Sequence, residues 1–286
     1  VWDVAAVRDD NVKREVEMEW SAAAEQAVAR VPFFVRRRVR KRVEETARQS
    51  GATVVHPEHV KACRQQYFTD MEAEIRGYRV ETCFGHEGCP SRAVADVRLR
   101  EALEELLAAK DLLAFLRKRV SNGLKMHHEF TITVADCPNA CSRPQIADIG
   151  LIGACLPRTG DEPCTRCGAC VDACREEAVS LPEAAAGPLF DPGRCLACGQ
   201  CIRACSAGAL AAGRQGYRIL IGGKLGRHPQ LAEELPGIFN PEQALRVVGR
   251  CVEHHLEHNQ RGERFGEVLK STGCNAIREG LVDLSQ

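Results

Sequence analysis

The pattern of apolar and polar positions predicts helices at both ends of the chain and a strand between them. An amphipathic run begins at Glu17-Met-Glu-Trp20 and continues to Arg30, and Val31-Pro32-Phe33-Phe34-Val35 interrupts it. Proline has no amide hydrogen to lose in a first helical turn, so Pro32 opens a second helix that runs to about Ser50 and stops at Gly51. His56-Pro57-Glu58 opens a third. Residues 97–119 carry apolar side chains at helical spacing with charges between them. The period then changes: Phe130 to Val134 alternates and is rich in β-branched residues, which predicts a strand. Asp136-Cys137-Pro138 turns the chain, and Pro138 is expected at the first position of a short helix, with Cys137 and Cys141 about one turn apart. Residues 181–193, rich in Ala, Gly and Pro, predict a loop, and Pro241 to about Glu257 the last helix.

The 286 residues suggest about two domains. Lys and Arg number 39, as do Asp and Glu, so no global charge draws the chain to nucleic acid or an anionic membrane. The run Arg36-Arg37-Arg38-Val39-Arg40-Lys41-Arg42 reads as a solvated helix face or as a basic lining for an anionic tetrapyrrole or acidic partner. Nothing aromatic or motif-like accompanies it to suggest nucleic acid. No apolar run approaches the roughly 18 residues that span a bilayer, and the charged first twenty residues lack the apolar core of a signal peptide. The expectation is a cytoplasmic protein without a transmembrane segment.

Sixteen cysteines change the picture. In a chain neither small nor fitted with a secretion signal they point to metal rather than disulfides. Cys164-Thr-Arg-Cys167-Gly-Ala-Cys170-Val-Asp-Ala-Cys174 is C-x2-C-x2-C-x3-C, and Cys195, Cys198, Cys201 and Cys205 repeat it. Residues 160–212 thereby resemble a bacterial two-cluster ferredoxin, in which three thiolates wrap one cubane and the fourth reaches the other. The sets implied are Cys164, Cys167 and Cys170 with Cys205, and Cys195, Cys198 and Cys201 with Cys174. Arg175 and Ser206 stand where that family has proline after each fourth cysteine. Zinc is the competing reading of paired cysteines, disfavoured by two blocks of identical spacing.

A second constellation, Cys83-x5-Cys89 with Cys137-x3-Cys141, has four thiolates for one more cubane. It is the ligand pattern of the siroheme–4Fe-4S sulfite and nitrite reductases. The run Asp136-Cys-Pro-Asn-Ala-Cys-Ser-Arg-Pro-Gln-Ile-Ala-Asp-Ile-Gly-Leu-Ile-Gly153 resembles that family's second cysteine motif, and Ile221-Gly-Gly-Lys-Leu-Gly-Arg-His-Pro229 its glycine-rich loop. The resemblance implies an α+β fold: a half domain at 76–159 and 213–286 built on an antiparallel sheet, with the ferredoxin of 160–212 inserted. It further implies an oxidoreductase with three 4Fe-4S clusters and siroheme. Cys141 would bridge cluster and siroheme iron, Asn139 and Arg143 would approach the siroheme carboxylates, and Lys224 and Arg227 would hold those carboxylates or a small oxyanion substrate. Residues 1–75 resemble the helical module at the C-terminus of light-independent protochlorophyllide reductase subunits, through Trp20, the Val-Pro-Phe-Phe-Val run and Arg-Gln-Ser-Gly-Ala-Thr-Val.

The chain departs from the reductases in having one such half where they have two. A second copy or a partner subunit would complete the macrocycle's site, in a homo- or hetero-oligomer fed by a redox donor. The alternative is a siroheme-free, three-cluster electron-transfer subunit. Lys125, His127 and His128 read as substitutes for substrate-holding cations or as plain loop residues, and His86 as a donor to the cluster or a solvated histidine. His254, His255 and His258 read as a polar helix end rather than a metal site. Cys63, Cys155, Cys251 and Cys274 have no motif partners and read as small buried hydrophobes.

Overall fold

The computed structural model describes residues 18–94, 98–121 and 123–279. The chain divides into two compact units, one ending at Glu74 and the other beginning at Ile75.

The first unit contains β1 (Glu19–Trp20), α1 (Ala22–Ala29), α2 (Phe33–Gln49), β2 (Val54–Val55) and α3 (Pro57–Ala73). The amphipathic run becomes helix only at Ala22, because the Ser21 hydroxyl caps it by accepting from the Ala24 amide at 3.3 Å. Glu19 and Trp20 instead pair in parallel with Val54 and Val55; Glu17 lies outside the described residues. The core is small: Ala24, Val43, Ala47, Val55 and Cys63. Part of the basic run is structural. Arg36 donates to the Ala29 and Val31 carbonyls, and Arg40 forks onto Glu25 at 2.6 and 2.8 Å while lying over the Trp20 ring.

The second unit runs β3 (Tyr78–Thr82), α4 (Leu99–Ala108), α5 (Leu112–Arg119), β4 (Phe130–Ala135), β5 (Ile149–Thr159), α6 (Ala169–Asp172), β6 (Val179–Ser180), β7 (Leu189–Phe190), α7 (Gln200–Ala204), β8 (Leu210–Ile221), β9 (Glu233–Glu234), α8 (Pro241–His258), α9 (Phe265–Thr272) and α10 (Asn275–Arg278). The single helix expected over 97–119 is two. Asp111 breaks it with φ 44°, and its carboxylate caps α5 by accepting from the Ala114 amide. Val97 is outside the described residues.

The fold is α+β, with one correction. The main sheet, ordered β3-β4-β5-β8-β9, is mixed rather than antiparallel: β3, β4 and β5 are parallel, and β8 and β9 join antiparallel. The parallel pair β3–β4 follows from its helical connection, because parallel neighbours need a crossover of a dozen or more residues and α4 and α5 supply it. On one face Phe130, Ile132, Val134, Leu151 and Ile219 bury against α4 and α8. Arg79, Glu81, Thr131 and Thr133 alternate with residues of that core, so they point to the other face.

β5 and β8 form a long antiparallel ribbon closed by Thr159 opposite Leu210, and residues 160–209 hang from its tip. A bulge between Cys155 and Pro157 bends the ribbon. The inserted segment has its own small core of Cys170, Val179, Cys201 and Leu210. The end of α8, expected to be polar, is buried at His254 and His255. His255 packs on Phe130 and Phe265, and burial pushes its imidazole down to about 3. His254 Nε2 meets the Thr272 hydroxyl at 2.8 Å and stacks on His258. Cys63, Cys155 and Cys251 are buried, and Cys274 packs at the edge of the main core. Among the described residues no helix is long and apolar enough to cross a membrane.

Candidate functional site

Parallel neighbours end at the same edge of a sheet, and this brings two cysteine loops together. Thr82 is in register with Val134, and the Cys83 amide donates to the Val134 carbonyl at 3.0 Å. One loop continues from Cys83 through a 3-10 turn over Phe84–Glu87 to Cys89, the other from Asp136 to Cys141. They touch at a glycine: a Cβ on Gly85 would stand 2.6 Å from the Asp136 Cβ. The Gly85 and Asp136 amides both donate to Cys83 Sγ at 3.3 Å, and Asn139 Nδ2 donates to Cys141 Sγ at 2.9 Å. Burial pushes the Cys137 thiol up; the Asn139 amide opposes this, and Cys83, Cys141 and Cys89 add to the rise.

The short helix expected at Pro138 does not form. Ala140 and Arg143 adopt left-handed φ of 51° and 60°, which reverses the chain, and the first regular turn is 3-10 at Pro144–Ile146. Cys137 is therefore buried and Cys141 exposed. On β5, a Cβ at Gly153 would lie 2.4 Å from the Asp136 carbonyl oxygen. Gly153→Ala is expected to displace the start of the Cys137 loop and to destabilise the chain by about 1–3 kcal/mol, read as a lower thermal midpoint.

The inserted segment repeats one backbone design. Arg166 and Ala197 have φ of 54° and 57°, and Gly168 and Gly199 have φ of 81° and 69°. Such successive left-handed turns aim amides at a shared anion. The Arg166 amide donates to Cys164 Sγ at 3.4 Å and the Ala178 amide to Cys174 Sγ at 3.3 Å. The blocks exchange their last cysteines. Cys164, Cys167 and Cys170 line one small hollow together with Cys205. Cys201, pushed up to about 11 by burial, also feels Cys198, Cys195 and Cys174. Thiolates with amide donors fit 4Fe-4S clusters, whose sulfur accepts hydrogen bonds.

Starting at Ser142, the residue after Cys141, a hollow on the open sheet face has a lining that includes Arg79, Glu81, Thr131, Thr133, Ser142, Arg143 and Arg264. Register builds it, because Arg79 faces Thr131 and Glu81 faces Thr133 across β3 and β4. Three guanidinium groups face Glu81 here, and with Arg264 paired to Asp148 the balance of one positive charge favours an anionic occupant. Arg79 Nε is buried and lacks a hydrogen-bond partner, lying 3.3 Å from Glu81 Oε1 without the alignment for a bond. Arg264 is fixed by a fork onto the buried Asp148, at 3.0 and 2.7 Å. Of this lining the sequence pointed only to Arg143. Its signal for Thr131 and Thr133 was their alternation with Phe130, Ile132 and Val134; Arg79 and Arg264 had none.

Asn139 and Arg143 are exposed on the Cys141 loop. The glycine-rich loop packs on the next turn, where a Cβ at Gly223 would lie 2.6 Å from the Ala147 carbonyl oxygen. Lys224 on that loop is buried, and its ammonium is held by Glu267 at 2.5 Å. That bond holds the Glu267 carboxyl below its ordinary range. Arg227 is exposed on the same loop. The His127 and His128 rings lie 4.2 Å apart, tilted by 56°, and burial first, then nearby cations including Lys125 and Arg264, lowers both imidazoles. The side chain of His86 lies outside the described residues.

Residues 91–285 match the nitrite and sulphite reductase 4Fe-4S domain, and residues 20–64 the proto-chlorophyllide reductase 57 kD subunit. Over 160 residues the chain is 31% identical to a coenzyme F420-dependent sulfite reductase of Methanocaldococcus jannaschii, covering 55% of this chain and 25% of that protein. Over 123 residues it is 29% identical to an anaerobic sulfite reductase subunit of Salmonella typhimurium, covering 43% and 36%. Over 44 residues it is 50% identical to a light-independent protochlorophyllide reductase subunit of Pelodictyon phaeoclathratiforme, covering 15% and 8%. The chain thus spans a quarter of the first relative's length and 36% of the second's. The longer match takes in Cys137, Cys141, both inserted cysteine blocks and the Lys224 loop, and the chain belongs to the nitrite and sulphite reductase 4Fe-4S domain family.

Proposed function

We propose that the chain is a siroheme-dependent sulfite- or nitrite-type reductase, or a subunit of one, acting in the cytoplasm. The observation that carries this reading is the exposed Cys141 followed directly in the chain by Ser142 and Arg143, which line a hollow with three guanidinium groups. Bound, two ferredoxin-type clusters and a third, siroheme-coupled 4Fe-4S cluster would supply the electrons, and siroheme the redox chemistry, for reduction of a small oxyanion. The ligands to the third cluster are Cys83, Cys89, Cys137 and Cys141.

The side chains of this chain do the binding and orienting. Arg79 and Arg143 offer forked donors to carboxylates, a geometry that suits guanidinium better than ammonium, while Arg264, forked onto Asp148, orders the lining. The hydroxyls of Thr131, Thr133 and Ser142 complete the polar lining. Asn139 holds the Cys141 thiolate in place through its side-chain amide. Lys224, spent on Glu267, orders the glycine-rich loop, which leaves Arg227 as that loop's candidate for carboxylate or oxyanion. A redox donor and either a second copy or another subunit complete the assembly. The names of the relatives fit this, one being a subunit and the other a sulfite reductase that uses coenzyme F420.

The second reading, a siroheme-free three-cluster electron-transfer subunit, is favoured by the single half domain. One experiment separates them: anaerobic iron and sulfide counts, then acid-acetone extraction and mass spectrometry. About twelve cluster irons plus one, with a siroheme mass, is expected from three cubanes and a macrocycle. Full clusters with no tetrapyrrole in any assembly state would overturn the first reading in favour of the second.

A further inference from the structure

The two cysteine blocks of the inserted segment are placed differently with respect to the Cys137 loop. The second block docks against the strand that carries the insertion. The Cys155 amide of β5 donates to the Ala197 carbonyl at 2.6 Å, and Cys155 pairs with Cys198 as an isolated parallel bridge. Arg203 spans the junction: Nη1 donates to the Arg92 carbonyl at 2.9 Å and Nη2 to the Cys198 carbonyl at 3.3 Å. The adjoining Ala93 amide donates to the Asp136 carbonyl at 2.7 Å, one residue before Cys137. Beneath these bonds Cys155 buries with Ala93 and Cys137, and Ile202 packs on them. Gly199 suits the close approach, since its φ of 69° disfavours a side chain and a Cβ there would stand 3.4 Å from the Cys155 Cβ. A packed path therefore runs from Cys137 through Cys155 to Cys198 and Ile202.

The first block is tied within the insertion. Its Arg166 guanidinium donates to the carbonyls of Leu181, Pro182 and Ala185, and its Cys167 is exposed. Electron transfer through protein slows steeply with distance and with gaps in packing, so this asymmetry gives the clusters an order.

We propose that Cys195, Cys198 and Cys201, with Cys174, hold the inner cluster, that Cys155 and Arg203 position it against the Cys137 cluster, and that Cys164, Cys167 and Cys170, with Cys205, hold the outer cluster where a one-electron donor delivers. This rests on the three-cluster part of the proposed function and not on siroheme. Each step moves one electron. A donor of ferredoxin or viologen type is oxidised as the outer cluster is reduced, and the outer cluster is reoxidised as the inner one is reduced. No bond is made or broken.

The test is electron paramagnetic resonance of the anaerobic, cluster-reconstituted full chain, reduced stepwise with dithionite. Spin coupling between the Cys137 cluster and one neighbour is expected, lost in Cys198→Ala and kept in Cys167→Ala. Coupling lost in Cys167→Ala but kept in Cys198→Ala, or absent from the wild type at full iron, overturns the order alone. A wild-type iron count well short of about twelve removes the three-cluster reading and the order with it. Because Cys198→Ala also risks the fold of the insertion, Arg203→Ala is measured beside it, with every ligand intact. Weaker coupling at an unchanged iron count supports the positioning role, and unchanged coupling refutes it.

Discussion

Arg264→Met is expected to destabilise the chain by about 3–5 kcal/mol, the usual result of removing one partner from a buried ion pair. Asp148 is 1% exposed and sits just before β5. It accepts from the Thr131 amide at 2.9 Å and the Phe265 amide at 3.3 Å, as well as from the two Arg264 nitrogens. The carboxylate thus ties the start of β4, the start of β5 and the first residue of α9. Without the guanidinium it stays buried with two neutral donors, so it must protonate or draw in water, and either costs free energy. Arg264→Lys should recover only part, because an ammonium cannot reproduce the fork. The double variant Asp148→Asn with Arg264→Met should lose less than the two single losses summed, since the charge and its partner leave together. Denaturant midpoints of the anaerobic chain measure all four. An Arg264→Met loss under about 1 kcal/mol would mean the pair is a solvent-screened contact. The same variant removes one of the three guanidinium groups from the hollow that Ser142 and Arg143 line, so on the siroheme reading proposed above siroheme retention should fall further in Arg264→Met than in Asp148→Asn.

What the sequence disclosed and what it hid divide along a physical line. Features written in a few consecutive residues were legible: Pro32, Pro57 and Pro241 stand at the starts of α2, α3 and α8, and the two cysteine blocks carry their spacing within a dozen residues. Single backbone conformations were not. Asp111 and Ala140 are left-handed residues inside stretches whose side-chain pattern reads as helix, and no periodicity marks a φ of 44° or 51°. Partners distant in the chain were hidden as well. Lys224 on its glycine-rich loop looked free for an anion until the fold brought Glu267, 43 residues away, to its ammonium. Strand direction belongs to this class too, since β3 and β4 are parallel because of the helices between them. The hollow that Ser142 and Arg143 line is the strongest case: Arg79 and Thr131 face each other only through register, and Arg264 arrives from the turn before α9.

On the three-cluster reading proposed above, Cys141→Ala is expected to lower the iron count from about twelve to about eight per chain, one cubane of three, and to remove any siroheme while the inserted clusters survive. The separation is structural. The insertion has its own core, its own amide donors to sulfur and its own exchange of last cysteines, all reached through the β5–β8 ribbon. Cys141 contributes nothing to that core; it stands exposed on a loop that its neighbours Ala140 and Arg143 turn outward. The alanine variant is sharper than serine, whose hydroxyl can still reach iron. Asn139→Ala should leave all twelve or so irons in place and alter only the spectrum of the Cys141-linked cluster, because it removes one donor to sulfur and no ligand. Loss of all iron in Cys141→Ala would show that the three sites fold as one unit, and an unchanged count would remove Cys141 from the ligand set. A fall to about eight with the ferredoxin-type signal intact is the result that makes Cys141 the gate between stored electrons and the hollow lined by Arg79, Arg143 and Arg264.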